Sequence, residues 1–369
     1  MNPREQFCPN MGCPARGKVD EGNIVVHSIK EERYKCKVCG KTFVSSKGTP
    51  YYWLRHSMEL FTIVVTLIAY GCPVQAIVAA YKVDERTVMD WQARAGLHCK
   101  KVHEHLVMEP RDLEHVQSDE IRIKAQGKVL WLAMAIMVRT RLWLGGVIAQ
   151  SRDEHLILRL IGIVRSCALA RPLLFCVDGL KSYLQAIRQT FRSPLPGRLG
   201  RPRLISWPDI LIGQVIKKYQ GKRVIGIFRC MEQGSLEVAQ RLLAKSHGGS
   251  KLNTAFIERL NATFRSRLAV LARRTRALLR NPQTLEPLMY LMGCVYNFCT
   301  YHKSLRLPGL IGGHKWIQRT PAIAVGIADH CWTVNELLSC HIPPPAWSPP
   351  VHRGRHSLAE KALVARWCP

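Results

Sequence analysis

HVQSDEIRIKAQGKVLWLAMAIMVRTRLWLGGVIAQSRDEHLILRLIGIVRSCALARPLLFCVD, residues 115–178, is the stretch on which the fold turns. Its first run, HVQSDEIRIK (115–124), alternates apolar and polar side chains with the period of a strand. VLWLAMAIMV (129–138) and LWLGGVIA (142–149) are apolar runs separated only by Arg139, Thr140 and Arg141, which predicts two strands joined as a hairpin. From about Glu154 to Ala168 the spacing turns helical, and PLLFCV (172–177) then reads as a buried strand closed by Asp178. Strand-like runs alternating with helical ones predict an α/β domain over 111–310. In an open sheet, sites lie beyond the carboxyl ends of strands, so Asp178 is well placed for a ligand.

Working outward, carboxylates are scarce. Only eight Asp or Glu follow Asp178 in 191 residues, one of them Glu258. Residues 253–280 predict a helix capped by Asn253, with Ile257, Leu260, Phe264, Leu268 and Leu271 on one apolar face. Glu258 falls in its first turns, with Asn261 and Arg265 on the same face. Arg259, Arg265, Arg267, Arg273, Arg274, Arg276 and Arg280 make this a phosphate-gripping segment. Phosphodiester transfer suits hard cations held by a few carboxylates. Two ions about 3.5–4 Å apart activate the attacking oxygen and stabilise the leaving one. Asp119, Asp178 and Glu258 are therefore candidate ligands for two Mg2+ (or Mn2+) ions, although an isolated acid of this kind is ordinarily a surface or capping residue.

The N-terminal 1–50 is core-poor but holds a C-x4-C pair, Cys8 and Cys13, and a C-x2-C pair, Cys36 and Cys39. Two tight turns with paired thiolates complete a tetrahedral shell suited to a structural Zn2+, with His27 as an alternative ligand. Residues 51–105 predict helices: Ser57 to Tyr70, a second opened by Pro73, and a third capped by Asp84 that stops near Gly96. Val88, Trp91 and Ala95 form its buried stripe; Arg86 and Thr87 face outward where a recognition helix meets bases, and Arg94 can hold phosphate. PLPGRLGRPR (194–203) reads as a solvated basic loop or, less simply, a minor-groove hook. Residues 341–369 are proline-rich and read as a poorly ordered tail.

Charge supports a polyanionic partner: 54 Lys+Arg against 26 Asp+Glu give +28 over 369 residues. The apolar run from Leu60 to Ala80 is broken by Gly71, Cys72 and Pro73, so no membrane span is expected. The polar N-terminus predicts a cytoplasmic, nucleoid-associated protein with reduced cysteines.

QSDEIRIK (117–124), FCVDGLKSY (175–183), NTAFIERLNATFRSRLAVLARRTR (253–276) and RTPAIAVGIADHCW (319–332) together resemble bacterial insertion-sequence transposases of the DDE type. The resemblance implies an RNase H-like core (a mixed sheet with flanking helices) preceded by a zinc knuckle and a helix-turn-helix, with 311–340 as a C-terminal extension. It implies that Asp119, Asp178 and Glu258 are the metal ligands, Glu120 leaving a one-residue ambiguity. It further implies cleavage at element ends and transfer of the 3′-hydroxyl into target double-stranded DNA by a homodimer or higher assembly. Lys181, Arg259, Asn261 and Arg265 are expected to position phosphates. The competing expectations are a non-catalytic DNA-binding regulator and a nuclease that does not join strands.

Overall fold

The computed structural model describes residues 2–195, 203–221, 223–273, 275, 278–311, 314–349 and 354–368. The chain divides into two compact units, Met1–Met58 with Leu338–Pro369, and Glu59–Leu337.

In the first unit, β1 (Ile24–Ser28), β2 (Arg33–Cys36) and β3 (Thr42–Val44) form an antiparallel sheet in that order. Its core is small: Ile24, Tyr34 and Phe43 pack around the buried cysteines.

The second unit opens with three helices: α1 (Met58–Ala69), α2 (Val74–Tyr81) and α3 (Glu85–Leu106). Asp84 caps α3 by accepting from the Arg86 N–H at 2.8 Å, and Val88, Trp91 and Ala95 are buried as their spacing predicts. Gly96 does not stop this helix. It lets α3 lie against Pro287, whose carbonyl oxygen would stand 2.2 Å from any Cβ at that position.

The sheet follows: β4 (His115–Ala125), β5 (Lys128–Met137), β6 (Trp143–Ala149), α4 (Glu154–Ser166), β7 (Leu173–Asp178) and α5 (Lys181–Thr190). A short pair, β8 (Arg192–Pro194) and β9 (Leu204–Ser206), precedes the long hairpin of β10 (Ile210–Gln220) and β11 (Arg223–Gln233). Then come α6 (Leu236–Lys245), α7 (Ala255–Arg267) and α8 (Leu285–Phe298), followed by β12 (Leu307–Ile311), β13 (His314–Ile317), α9 (Pro321–Val325) and α10 (Val334–Ser339). The six-stranded sheet is mixed, in the order β11-β10-β7-β4-β5-β6. β4, β5 and β6 form an antiparallel meander, β7 and β10 continue it in parallel from β4, and β11 returns antiparallel at the edge.

Side chains alternate across this sheet. Leu174 and Cys176 pack with Ala239 and Leu242 of α6, whereas Phe175 meets Phe191 just beyond α5. Helices therefore cover both faces. α8 is buried almost throughout and joins α3 to the sheet: Tyr290 and His103 both pack on Trp143 of β6, and Asn297 closes the Trp143 backbone with two 2.9 Å hydrogen bonds. Among the described residues no helix is long and apolar enough to cross a membrane.

Two expectations change. The helix read over 253–280 ends at Arg267, because Leu268 turns to extended backbone (φ −114°, ψ 98°). Arg273 and Arg280 lie beyond it; Arg274 and Arg276, like Arg198, Gly200, Arg201 and Pro202 of the basic loop, lie outside the described residues. The C-terminal tail ends in α11 (Leu358–Trp367), opened by a capping box between Ser357 and Glu360. Leu363 and Trp367 pack into the small cysteine core, and Arg16 donates to the carbonyls of Pro345 and Ala346.

Candidate functional site

The register of two parallel strands brings the first two carboxylates together. β4 and β7 are last paired at Gln117 and Cys176, and two residues further along each strand stand Asp119 and Asp178. Being two residues on, both emerge on the face of those paired side chains. Glu120, one residue later, points to the α5 face, yet Asp119, Glu120 and Asp178 each bring an oxygen within 4.8 Å of one another. Glu258 stands outside this close group but lines the same cleft, about 920 Å³ in volume, with Lys217, Tyr219, Asn261, Arg265 and Arg273.

Each acid is held. Asn261 donates to Asp119 at 2.8 Å. Tyr183 donates to Glu120 at 2.5 Å, and Arg152 bridges Glu120 (2.7 Å) and Asp178 (2.8 Å). The Leu180 N–H donates to Asp178 at 3.0 Å. Glu258 takes the Lys217 ammonium at 2.5 Å and the Thr254 hydroxyl at 2.8 Å. Burial, reinforced by the neighbouring Glu120, lifts the Asp119 carboxyl to about 6; the charges of Asp178 and Glu258 add to it. Burial raises Glu120 also, against the Tyr183 hydrogen bond. For Glu258 burial acts upward, but the Lys217 and Thr254 hydrogen bonds prevail and hold it below the ordinary carboxylate value.

Glu258 owes its place to a strand residue. Gln117, fully buried on β4, accepts from the N–H groups of Phe256 (2.9 Å) and Ile257 (3.1 Å) in the first turn of α7. Its amide donates back to the Asn253 carbonyl at 2.8 Å. Asn253, expected as the cap, stands one residue before the actual cap position, Thr254, yet its Oδ1 receives the Ala255 N–H at 3.1 Å, so two side chains share the free donors of this helix start. The residue that ties α7 down thus stands two positions before Asp119.

The residues expected to contact DNA are dispersed. Asn261 is buried and serves Asp119 instead of facing outward; its Oδ1 has no hydrogen-bond partner. Arg265 lines the cleft with a buried, unpaired Nε. Arg259 and Lys181 are exposed at the starts of α7 and α5. Arg86, Thr87 and Arg94 stand in the first half of α3, away from the cleft lining.

The four N-terminal cysteines do converge. Cys8 and Cys39 sulfurs lie 3.6 Å apart and those of Cys13 and Cys36 3.8 Å; none is in a disulfide. A tetrahedron of ~2.3 Å metal–sulfur bonds has edges of about 3.8 Å. Backbone N–H groups of Asn10, Ala15 and Lys41, each two residues past a cysteine, point at Cys8, Cys13 and Cys39. Gly40 takes φ +70° to close the second turn. Burial pushes Cys13 up to about 12, whereas Cys39, only half-buried, is brought down to about 7 against its own desolvation by the Lys41 N–H, Asn10 and its thiol neighbours. The four sulfurs could hold a central cation, which would relieve this conflict, since metal ligation takes thiolates. His27 is exposed and outside the group.

Arg152, Tyr183, Lys217 and Gln117 were not singled out in the sequence. Tyr183 and Gln117 carried a signal, the first standing in FCVDGLKSY five residues after Asp178 and the second opening QSDEIRIK. The chain matches no known family model and no curated protein.

Proposed function

We propose that this protein is a metal-dependent DNA transposase of the DDE type. One observation carries the reading: carboxylates from two parallel strands, just past their last paired residues, and from α7 share a cleft with Arg265, Arg273 and Lys217, in a chain of charge +28. An antiparallel meander continued by two parallel strands, with acids on the central strand and its parallel neighbour, is the arrangement an RNase H-like core requires. The α1–α3 segment, with Arg86 and Thr87 exposed or half-exposed at the start of α3, would be the helix-turn-helix reader. Cys8, Cys13, Cys36 and Cys39 would hold the structural Zn2+.

Asp119, Asp178 and Glu258 would hold Mg2+ or Mn2+, and the oxygens gathered around Asp119 and the unpartnered Asn261 Oδ1 fit a hard cation. When bound, such ions supply charge neutralisation at the reacting phosphate and a lowered pKa for the attacking oxygen. The chain's own residues do the placing. Asn261 orients Asp119, Gln117 sets α7 and hence Glu258, and Arg265 and Arg273 hold the phosphate backbone in register. The chemistry served is hydrolysis at an element end, followed by attack of the freed 3′-hydroxyl on a target phosphodiester, with the target's own 3′-oxygen leaving.

Purified protein is incubated with Mg2+, a supercoiled plasmid and a duplex carrying the sequence that flanks its gene. Joined products are expected from the wild type and none from Asp178→Ala, which still binds the duplex. Cut ends without joining would make it a nuclease. One observation favours a second reading, a DNA-binding regulator without catalysis: Arg152 and Lys217 already neutralise Glu120, Asp178 and Glu258. Duplex binding with neither nicking nor joining would establish it.

A further inference from the structure

The hairpin of β10 and β11 outgrows the sheet that carries it. β10 is last paired with β7 at Val215–Asp178; beyond that point β11 is its only neighbour among the described residues, and β11 is the sheet edge. Burial changes at the same residue: Ile210 to Val215 are buried, and Ile216 onward is mostly exposed. Among the described residues the projecting ribbon, paired from Ile216–Phe228 to Gln220–Arg223, has no strand beside it on either edge.

Its composition is unusual for a surface. Tyr219 (60% exposed), Ile225 (62%) and Phe228 (51%) are exposed with Val224 and Ile227, and the Lys218 ammonium lies 4.5 Å over the Phe228 ring. Between Asp209 and Glu232 there is no acidic residue, whereas Lys217, Lys218, Arg223 and Arg229 are all basic. Exposed apolar groups of this density mark a binding surface. The charge selects a polyanion, and the ribbon starts at the carboxylate cleft, which Ile216, Lys217 and Tyr219 line. Phosphates alone would not require the aromatic and aliphatic side chains. A paired duplex offers phosphates and groove edges, whereas an unpaired strand also offers the apolar faces of its bases, on which Tyr and Phe stack.

We propose that the β10–β11 ribbon is a clasp for unpaired DNA: Lys218 and Arg223 meet phosphates while Tyr219 and Phe228 stack on bases of a strand led into the cleft. This rests on the reading of the protein as a DNA-processing enzyme and adds the form of DNA that the site receives.

The test is fluorescence anisotropy without added Mg2+ or Mn2+, and without chelator, with a labelled 20-nucleotide single strand and its blunt duplex. Full-length wild type is compared with Tyr219→Ala/Phe228→Ala and with the conservative Tyr219→Phe/Phe228→Tyr. Because these side chains lie outside the packed core, an unchanged circular dichroism melt is the folding control. The alanine pair is expected to weaken single-strand binding tenfold or more, to change duplex binding less than twofold, and to be rescued by the conservative pair. Equal weakening of both DNA forms, or of neither, overturns the clasp. So does a loss of DNA-free self-association in sedimentation velocity, which would make a second copy of the chain the occupant. If the wild type binds neither form, the proposed function itself fails; if it binds both and the ribbon variants are neutral, only the clasp does.

Discussion

Replacing Gln117 with leucine keeps the side-chain volume and removes every polar contact that this side chain makes with the start of α7. The Phe256 and Ile257 N–H groups lose their acceptor, and the Asn253 carbonyl loses its 2.8 Å donor. Each buried group left unpaired costs about 1–3 kcal/mol. Phe256 is half-exposed, so water replaces part of its loss. The total is then about 3 kcal/mol, a large share of the ~5–15 kcal/mol that holds a domain folded. The assay is urea unfolding with amide hydrogen exchange. Gln117→Leu should lower the midpoint without changing the denaturant slope, and the amides of Phe256 and Ile257 should lose protection first. A leucine variant within ~0.5 kcal/mol of wild type, with those amides still protected, would refute the claim that β4 anchors α7.

Two further predictions follow from other parts of the molecule. Burial lowers the His103 and His115 pKa values to about 4 and about 3, so the unfolded chain takes up their protons first as pH falls. Their contribution, on the order of 3 kcal/mol each, is whole above pH ~6.5 and is lost as pH falls toward the folded values. Asp119, raised to about 6, works in the opposite sense, because the fold disfavours its ionised form. Burial lowers His302 to about 4 as well, and Glu120 is raised like Asp119, so with three histidines against two carboxyls the urea midpoint should drop between pH 7 and pH 5, and a flat profile would count against buried neutral imidazoles. Stripping metal with a strong chelator, or Cys36→Ser, should abolish exchange protection in β1–β3 and free Trp367 while the sheet of the second unit stays protected; unchanged protection would mean that the cysteine unit stands without an ion.

Much of the sheet was legible because its signals are local. The alternation of 115–124, the apolar runs at 129–149 and the Asp178-terminated strand each declare themselves within ten residues. The cysteine pairs were legible for the same reason. What the sequence hid depends on partners far along the chain. Gly96 resembles a helix stop until Pro287, nearly two hundred residues later, is seen against it. Asn261 looks like a surface polar residue on an arginine-rich helix, and only the packing of α7 on β4 turns it toward Asp119. Arg152 has no motif; it matters because it follows β6 and reaches Glu120 and Asp178. The proline-rich tail hid α11, although Ser357 and Glu360 spelled a capping box, because a core-poor unit recruits Trp367 from the opposite end of the chain.

The central claim is that Asp119, Asp178 and Glu258 act together on one divalent cation site. Mn2+ titration followed by electron paramagnetic resonance tests it without any DNA substrate. Saturable Mn2+ binding is expected in the wild type, weakened at least tenfold by each of Asp119→Asn, Asp178→Asn and Glu258→Gln. Mn2+ affinity that is the same in all four proteins, or that depends on Asp119 and Asp178 while ignoring Glu258, would contradict it.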